Sequence, residues 1–254
     1  MLTEERHQII LDEINKKSVV YLSELVKNLD TSESTIRRDL NFLHKEGKLK
    51  KVHGGATVLD KRTHSKDDLL STRENLNIEE KIKIAKHAAA LIEEGDFIYI
   101  DSGTTTDLMI EFINEREAFY ITNGINQAKK LIGRGFKTYV LGGEIKASTE
   151  AIIGVEAVNS LRKYNFNKGF FGTNGISKAR GYTTPDINEA LVKQEALSRT
   201  RQAYIMADNS KFDEITSVTF GDLEDAVIIT TIIGNDTYKE FTEVIEVGKE
   251  WFIQ

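Results

Sequence analysis

From residue 78 onward, short apolar segments alternate with segments that have the apolar spacing of helices. Strands that alternate with helices in this way pair in parallel, because each helix returns the chain to the edge where the next strand starts. This alternation constrains the fold more than any other feature, and it predicts a mostly parallel α/β sheet. The predicted strands are 97–100, 119–121, 138–141, 166–171, 203–206, 218–220, 227–230 and 244–247, and the predicted helices are 78–93, 107–113, 127–132, 155–161, 187–198 and 238–241.

The first part of the chain has a different pattern, with three helical segments in close succession. The first helix is predicted over 3–15. Ser23 is predicted to cap the second helix and Ser32 the third, because serine at this position accepts a hydrogen bond from a free backbone N–H. The third helix is predicted to run to Glu46, with Gly47 at its C′ position.

Two short strands follow the third helix, at 48–52 and 56–59, and the sequence His-Gly-Gly (53–55) lies between them. Three helices and a glycine-tipped hairpin in about 60 residues predict a winged helix-turn-helix. Residues 60–77 are polar and aperiodic, which is typical of a linker. We therefore predict a winged helix-turn-helix domain at 1–59, a linker at 60–77 and an α/β domain at 78–254.

The third helix has one apolar face and one polar, basic face. Ile36, Leu40 and Leu43 share a face through i, i+4 and i+7 spacing. A helix that buries aliphatic side chains and presents hydroxyl, amide and guanidinium groups suits the major groove of DNA. The polar face consists of Ser34, Arg37, Arg38, Asn41 and Lys45.

Charge is distributed unevenly along the chain. The formal net charge is −6, but residues 1–62 carry +2 and the remainder carries −8. Residues 31–62 contain eight basic and four acidic side chains. A local positive potential attracts phosphate whatever the total charge, since screening limits its reach to about 8–10 Å. A merely solvated surface explains the same charge pattern equally well.

The composition excludes several classes of site and protein. The chain has no cysteine, and its five histidines are scattered, so we expect no thiolate chemistry and no metal site. The first residues lack the apolar core of a signal peptide, and no segment approaches the roughly 20 apolar residues that span a bilayer. We expect a cytoplasmic protein with no membrane contact.

The first strand of the α/β region ends in Asp-Ser-Gly-Thr-Thr-Thr (101–106). Its glycine permits a tight turn, its hydroxyls are hydrogen-bond donors, and the next helix supplies unpaired N–H groups, so the segment suits a phosphate. The alternative is a helix cap alone. Other strand ends are also rich in Gly, Thr and Asn, which favours a polar cleft for a small molecule. These ends are 122–124, 142–144 and 172–175.

Three further charged residues have two interpretations each. Glu189 and Lys193 lie one helical turn apart and form either a surface ion pair or a hydroxyl acceptor and a phosphate donor in the cleft. Lys211 either reaches a phosphate or is solvated. No Walker loop is present, and no Gly-x-Gly-x-x-Gly follows the first strand, which argues against a nucleotidase or dinucleotide enzyme.

Several segments in order along the chain resemble the DeoR family of bacterial transcriptional regulators. The resemblance implies an N-terminal DNA-binding domain and a C-terminal α/β sugar-phosphate sensor. The segments 2–7 and 31–38 resemble the fructose operon repressor branch, which implies fructose 1-phosphate as effector. The family motifs are Ser-Thr-Ile-Arg-Arg-Asp-Leu (34–40), Val-His-Gly-Gly-Ala (52–56), Glu-Lys-Ile-Lys-Ile-Ala (80–85), Asp-Ser-Gly-Thr-Thr-Thr (101–106), Thr-Asn-Gly (122–124), Leu-Gly-Gly (141–143), Gly-Tyr-Thr-Thr (181–184) and Asp-Asn-Ser-Lys-Phe (208–212).

The sensor fold that this resemblance implies is similar to ribose-5-phosphate isomerase and glucosamine-6-phosphate deaminase, so an enzyme must be considered. Isomerisation needs a base to move a proton between adjacent carbons. Where the isomerase pattern and many family members have a carboxylate, this chain has Asn174, which accepts no proton at neutral pH. The segment before Lys168 also departs from the Asp-Lys common in relatives. We predict a regulator with no catalytic residues; the alternative is an isomerase with a DNA-binding appendage.

The predicted partners are double-stranded operator DNA, a phosphosugar effector and a second copy of the chain, as homodimer or homotetramer, with no cofactor. An RNA-binding or scaffold protein is a third hypothesis. The DNA-binding residues are predicted to be Ser32, Ser34, Thr35, Arg37, Arg38, Asn41, Lys50, Lys51, His53 and Gly54. The effector-binding residues are predicted to be Lys81, Asp101, Ser102, Gly103, Thr104, Thr105, Thr106, Thr122, Asn123, Gly142, Lys168, Gly172, Asn174, Glu189, Lys193 and Lys211.

Overall fold

The computed structural model describes residues 3–17, 19–46, 48–52, 54–57, 76–234 and 236–248. These residues form two compact units, one within residues 1–63 and the other within residues 64–254. Except for Leu76 and Asn77, which form a turn, the predicted linker lies outside the described residues, and the three-part domain division stays a prediction. None of the described helices is long and apolar enough to cross a membrane.

The first unit contains three helices and a small three-stranded antiparallel sheet, as the sequence predicts for a winged helix-turn-helix. Its apolar core includes Ile10, Leu25, Ile36 and Leu40, all fully or almost fully buried. The helices are α1 (Thr3–Lys17), α2 (Leu22–Asn28) and α3 (Glu33–Lys45), and the strands are β1 (Val19–Tyr21), β2 (Lys50–Val52) and β3 (Gly55–Thr57).

The wing pairs with a third short strand, β1, which lies between α1 and α2. β3 pairs antiparallel with both β2 and β1, so the sheet order is β1-β3-β2. A Cβ atom on Gly55 would lie 2.1 Å from the carbonyl oxygen of Val20, so only glycine lets the two strands approach. Gly54 has φ 84°, the left-handed conformation that glycine adopts without strain.

The start of the second helix differs from the prediction. Helix α2 begins at Leu22, its N-cap residue is Tyr21, and no side chain accepts a hydrogen bond there. Ser23 therefore lies in the first turn and does not cap the helix, because β1 runs directly into α2 without a turn. The cap of α3 is as predicted, since the side chain of Ser32 accepts from the backbone N–H of Thr35. Gly47 lies outside the described residues.

A buried carboxylate joins the first and third helices. Asp39 accepts hydrogen bonds from Arg6 Nε at 2.6 Å and from His7 Nε2 at 3.0 Å. Burial raises the pKa of Asp39, but the hydrogen bonds from Arg6 and His7 outweigh it and hold the pKa below its usual value. Asp39 follows Arg37 and Arg38 directly in sequence, but its side chain is buried. It stabilises the domain and is not part of the exposed polar face of α3.

The second unit is built around a parallel seven-stranded sheet, whose order is β15-β14-β12-β9-β4-β5-β6. All six neighbouring pairs are parallel, as the alternation of strands and helices predicts. The strands are β4 (Phe97–Ile100), β5 (Phe119–Thr122), β6 (Lys137–Val140), β9 (Phe166–Gly172), β12 (Thr200–Met206), β14 (Val227–Thr230) and β15 (Val244–Glu246).

Both faces of this sheet are covered, so its central strands are apolar on both sides. Successive residues of β4 enter different cores: Tyr99 packs in one, and Ile98 and Ile100 pack in the other. The helices are α4 (Ile78–Ala90), α5 (Thr104–Met109), α6 (Ile125–Gly133), α7 (Val155–Leu161) and α8 (Ile187–Ser198). One-turn 3₁₀ helices lie at Ile110–Phe112, Asn209–Lys211, Leu223–Asp225 and Asp236–Glu240.

Two smaller antiparallel sheets were mostly missed by sequence reasoning, because their strands are only three or four residues long. The first is a hairpin, and the second has the order β10-β11-β13. Only β13 was predicted as a strand. The strands of these sheets are β7 (Glu144–Lys146), β8 (Ala151–Ile153), β10 (Gly175–Ser177), β11 (Gly181–Thr184) and β13 (Val218–Gly221).

The strand order reverses between β4 and β9. From β4 the chain adds β5 and β6 on one side, and then β9, β12, β14 and β15 on the other. Loops that leave two neighbouring strands in opposite directions open a crevice at their carboxyl ends, which is where open α/β sheets bind ligands. The topology therefore places a candidate site beside the loops that follow β4, β9 and β12.

Candidate functional sites

A cavity lies at this reversal point, in the second unit. Its walls include the turn before α4, the loop after β4 with the first turn of α5, the loop after β9, the start of α8 and the 3₁₀ turn after β12. Ten of the predicted effector residues line it: Lys81, Ser102, Gly103, Thr104, Thr105, Gly172, Asn174, Glu189, Lys193 and Lys211.

The phosphate-type loop is shaped by its own hydroxyls. Helix α5 begins at Thr104, three residues earlier than predicted, so Thr104 and Thr105 lie in its first turn and line the cavity. Thr106 is fully buried, and its hydroxyl donates to the carbonyl oxygens of Asp101 at 2.5 Å and Gly103 at 2.8 Å. Thr106 therefore holds the turn and does not line the cavity.

Three lysines bring positive charge to the cavity. Lys81, on α4, is 4% exposed, and its Nζ donates to Thr104 Oγ1 at 3.1 Å. Lys193, on α8, forms an ion pair with Asp101 Oδ2 and donates to the carbonyl oxygen of Gly172 at 2.9 Å. Lys211 forms no ion pair with any residue that the structure describes. The ammonium groups and threonine hydroxyls together suit an anionic ligand.

Asp101 lies behind the cavity wall and not in its lining. Its side chain is fully buried, and Oδ2 also accepts from the backbone N–H of Gly172 at 3.0 Å. Within the described part of the chain, no donor reaches Oδ1. An unsatisfied buried carboxylate oxygen is costly, so the stabilisation of this carboxylate depends on the two donors to Oδ2, Lys193 and the backbone N–H of Gly172.

The structure decides between the two interpretations of Glu189 and Lys193. Both side chains are buried, at 7% and 6% exposure, and both line the cavity, so they are not a surface ion pair. Glu189 Oε1 accepts from Thr149 Oγ1 at 2.7 Å and from Lys146 Nζ at 3.1 Å. These two donors fix the carboxylate at the cavity wall.

The cap of α8 reinforces this arrangement. The carboxylate of Asp186 accepts from the backbone N–H groups of Asn188 and Glu189 at 2.8 and 2.9 Å, and it pairs with Lys146 at 3.1 Å. Burial raises the pKa of Asp186, but the backbone hydrogen bonds and Lys146 outweigh it and lower the pKa below its usual value. Lys146 therefore bridges the helix cap and the cavity carboxylate.

Besides Thr106 and Asp101, four more predicted effector residues do not line the cavity: Thr122, Asn123, Gly142 and Lys168. The Thr122 hydroxyl accepts from the backbone N–H of Gly124, and Asn123 joins Tyr99, Ser102 and the carbonyl oxygen of Ile152, so both hold the sheet edge together. Gly142 lies after β6, two strands from the reversal point between β4 and β9.

Lys168 is the clearest of these corrections. It lies near the start of β9, and its Nζ pairs with Glu93 at 2.6 Å and Asp96 at 2.8 Å. Gly172, which lines the cavity, is four residues further along the strand, or roughly 13 Å away at about 3.3 Å per residue. Lys168 therefore serves an ion cluster at the amino end of the sheet.

Sequence reasoning missed seven cavity residues. Thr149 lies between two strands that were themselves not predicted, and Asp208 and Ser210 belong to the motif from which only Lys211 was selected. The run of four consecutive polar residues in that motif was the available signal. The seven residues are Leu76, Asn77, Thr149, Thr173, Met206, Asp208 and Ser210. Among the residues that the structure describes, no cluster of acidic and histidine side chains suits a metal ion.

The polar face of α3 is exposed in the first unit, as predicted. Arg37 donates from Nε and Nη2 to Glu33 Oε1, at 2.9 and 2.6 Å, and Lys51 Nζ donates to Asn41 Oδ1 at 2.6 Å. These contacts pair two candidate base-reading side chains, those of Arg37 and Asn41, with neighbouring polar groups. The exposed candidates are Ser32, Ser34, Arg37, Arg38, Asn41, Lys50 and Gly54, with Thr35 and Lys51 partly exposed. His53 lies outside the described residues.

Comparisons with known proteins agree with these two units. Residues 6–62 match the model of the DeoR-like helix-turn-helix domain, and residues 76–232 match that of the DeoR C-terminal sensor domain. A Bacillus subtilis protein described as an uncharacterized HTH-type transcriptional regulator, FruR, is 45% identical, over 98% of this chain and 100% of its own. The lactose phosphotransferase system repressor of Staphylococcus aureus is 33% identical over 95% and 98%.

Solved structures give a more distant likeness. Ribose 5-phosphate isomerase A of Methanocaldococcus jannaschii has a TM-score of 0.40 and 16% identity, over 54% of this chain and 55% of its own. The sorbitol operon regulator SorC of Klebsiella pneumoniae has a TM-score of 0.36 and 11% identity, over 76% and 85%. These structures do not carry the family assignment. The two domain matches and the full-length relatives show that the chain belongs to the DeoR family, with a DeoR-like helix-turn-helix domain followed by a DeoR C-terminal sensor domain.

Proposed function

We propose that this protein is a DNA-binding transcriptional repressor of a sugar-utilisation operon, modulated by a phosphorylated sugar. The observation that carries the proposal is the lysine- and hydroxyl-lined cavity in a chain that also has a winged helix-turn-helix. Three ammonium groups suit a phosphate, and buried carboxylate and amide groups suit the hydroxyls of a sugar. The names of the relatives, a lactose phosphotransferase system repressor among them, support a sugar operon as the target.

The roles within the cavity follow from its charges. Lys81, Lys211 and the loop Ser102–Thr105 hold the phosphate. Glu189 accepts hydrogen bonds from sugar hydroxyls, and Asn174 accepts or donates them. Thr149 and Lys146 hold the Glu189 carboxylate in position for this. Fructose 1-phosphate is our specific candidate, because the most similar curated relative named above is called FruR.

In the first unit, we propose that the N-terminal residues of α3 read base edges and that the wing contacts phosphates. Ser34, Thr35, Arg37, Arg38 and Asn41 form the reading face, as in other helix-turn-helix proteins. A bidentate arginine–guanine contact discriminates by about 1–3 kcal/mol. The wing residues are Lys50, Lys51, Gly54 and His53, and two heads of a homodimer or homotetramer span the operator.

The first experiment is a thermal-shift screen of the full-length protein against fructose 1-phosphate, fructose 6-phosphate, glucose 6-phosphate and ribose 5-phosphate. A ligand at 100 times its dissociation constant stabilises the protein by about 2.7 kcal/mol. Inorganic phosphate and unphosphorylated fructose are the controls, and each should give a smaller shift than the matching sugar phosphate. Equal shifts for phosphate and every sugar phosphate would contradict a sugar-specific site.

The second experiment is a gel shift with duplex DNA from upstream of the protein's own coding sequence, with and without the best ligand. Specific binding that survives RNA competitor and changes with ligand supports the repressor. The isomerase hypothesis predicts turnover of pentose or hexose phosphates, which we do not expect, because Asn174 replaces the carboxylate and the relatives are regulators. Measurable turnover lost in Glu189→Gln would overturn a purely regulatory role.

A further inference from the structure

The cavity includes the first described residues of the second unit. Leu76 and Asn77 are the first described residues after 58–75, and both line the cavity, as does Lys81 one turn later. In sequence, these residues precede α4 and follow the DNA-binding unit. A ligand in the cavity therefore lies against the described residues that are nearest in sequence to the helix-turn-helix.

The buried carboxylate of Asp208 ties the exposed Asn77 to the cavity. Asn77 Nδ2 donates to Asp208 Oδ1 at 2.9 Å, across 131 positions of sequence. Asp208 is 2% exposed and itself lines the cavity. The same oxygen accepts from the backbone N–H of Ser210 at 3.0 Å and from its hydroxyl at 2.5 Å. One carboxylate oxygen thus holds both the chain entry and the 3₁₀ turn at Asn209–Lys211.

A second contact joins the same two segments. Glu80 Oε2, in the first turn of α4, accepts from the backbone N–H of Asn209 at 3.2 Å and from Thr231 Oγ1 at 2.6 Å. The turn that carries Ser210 and Lys211 is therefore fixed to the start of α4 at two points, Asn77 and Glu80. A ligand that engages Lys211 acts on a turn that cannot move without moving this segment or breaking its hydrogen bonds.

The backbone conformation of Asn77 determines the direction in which the chain enters α4. Asn77 has φ 52° and ψ 37°, the left-handed conformation, which asparagine and aspartate tolerate better than other residues with side chains. Its carbonyl oxygen accepts the first hydrogen bond of α4, from the backbone N–H of Lys81 at 3.0 Å. The direction in which the chain enters α4 is thus set at the residue that Asp208 holds.

We propose that Asn77 and Asp208 couple effector occupancy to DNA binding, which rests on the proposed function of the cavity. Ligand binding favours one arrangement of the 3₁₀ turn, and Asp208 transmits it to Asn77, from which the chain leads back in sequence to the DNA-binding unit. Asn77 is a positioning residue, since it acts through the segment it begins. Coupling of this kind changes the affinity for one ligand when the other is bound, and it is reciprocal.

The test exchanges the two side chains of the contact. Asn77→Asp places a second carboxylate against Asp208 and breaks the hydrogen bond, while it keeps a residue that tolerates the left-handed backbone. The double variant Asn77→Asp with Asp208→Asn restores a donor opposite an acceptor and the original net charge. Asn159→Asp adds the same charge at an exposed position of α7 outside the cavity and is the matched control.

The measurement is the ratio of DNA affinities with and without saturating ligand, by fluorescence anisotropy on full-length protein at fixed salt. The ligand is whichever of the four sugar phosphates named above gives the largest thermal shift, and saturation is checked for each variant. Allosteric ratios are typically about 5- to 150-fold. We expect the control to have the same ratio as wild type and Asn77→Asp to have a ratio within about twofold of one. The double variant should recover the wild-type ratio.

The outcomes separate the two proposals. A wild-type ratio in Asn77→Asp, with ligand bound, overturns the coupling and leaves the proposed function intact. A reduced ratio that the double variant does not restore also overturns it, because the contact and the net charge would then both be restored without restoring the coupling. If none of the four sugar phosphates shifts the wild-type protein, the proposed function fails, and the coupling fails with it.

Discussion

The two candidate sites keep their charged groups in opposite environments. On α3, the side chains of Arg37 and Glu33 are 53% and 59% exposed although they are hydrogen-bonded to each other. In the cavity, the side chains of Lys193 and Asp101 are 8% and 0% exposed. Both are pairs of opposite charge, and each includes a residue proposed to bind a ligand. They differ in how much water surrounds them.

That difference determines what each pair contributes to folding. An exposed ion pair is worth about 0–1 kcal/mol, because water and salt screen it and both side chains lose freedom. Removing one partner of a buried pair leaves an uncompensated charge and is strongly destabilising. The DNA-reading surface can therefore change its residues without changing the fold, whereas the cavity binds its ligand with groups that also hold the second unit together.

The largest effect that we predict is for Lys193→Met. It leaves Asp101 buried with only the backbone N–H of Gly172 as a described donor, so the free energy of unfolding of the second unit should fall by about 3–5 kcal/mol. Urea unfolding followed by far-UV circular dichroism measures this. Lys129→Met, an exposed lysine on α6, is the matched control and should change stability by less than about 0.5 kcal/mol.

A double variant sharpens this prediction. Adding Asp101→Asn to Lys193→Met removes the uncompensated charge, so part of the lost stability should return. A loss in Lys193→Met no larger than in the Lys129→Met control would show that water reaches Asp101. The contrast between a buried cavity pair and an exposed helix pair would then not hold.

The second-largest predicted effect tests whether the cost of removing a charge depends on burial or on which of the two units carries the charge. Asp39 is a buried carboxylate in the DNA-binding unit, with donors from Arg6 and His7. Asp39→Ala should lower the free energy of unfolding of that unit by about 2–3 kcal/mol, because the partly buried Arg6 guanidinium loses its acceptor. Asp12→Ala, exposed on α1, is the control. If both variants unfold alike, burial does not decide the cost of removing a charge.

Stability of the same unit should depend on pH in a defined direction. The folded pKa of Asp39 is below its unfolded value of about 3.9, so the stabilisation is fully present above that value and is lost as pH falls through the folded pKa. The difference between wild type and Asp39→Ala should therefore be largest near neutral pH and shrink to less than about 1 kcal/mol in strong acid. Unfolding free energies from pH 2 to 7 measure it, and a constant difference would contradict this linkage.

The contrast between the sites also explains what the sequence could predict. The parallel sheet was predictable because its strands are buried on both faces and are continuous apolar runs, as in β4 and β14. The exposed face of α3 was predictable for a similar reason, since helical spacing assigns each residue to one side. Both depend on local pattern alone.

The cavity was only partly predictable, because its members are distant in sequence. The loop at 101–106 was found, since hydroxyl-rich strand ends are a local signal. Thr149 and Asn77 contact Glu189 and Asp208, which are 40 and 131 positions away in sequence, so no local pattern indicates them. Lys168 was assigned to the wrong end of β9, because family resemblance names a residue but does not show which end of a strand it occupies.

The smallest expected effect on stability is at Arg37. Arg37→Ala removes an exposed pair with Glu33, so the free energy of unfolding should change by less than about 0.5 kcal/mol. Its effect on DNA should be much larger: about 1–3 kcal/mol less discrimination between the operator and a mutated site, if the guanidinium leaves Glu33 for a guanine. Fluorescence anisotropy with both duplexes at one salt concentration measures this, with Arg201→Ala, exposed on β12, as the control.

The direction of this last result separates base reading from phosphate contact. If Arg37 reads a base, Arg37→Ala weakens binding to the operator much more than to the mutated duplex, and the salt dependence barely changes. If it holds a phosphate, both duplexes lose affinity equally, and the slope of log affinity against log salt falls by about one contact. If Arg37→Ala lowered both the free energy of unfolding and the discrimination between the two duplexes, the Glu33–Arg37 pair would support α3 itself. The exposed site would then resemble the cavity, whose groups also stabilise the fold.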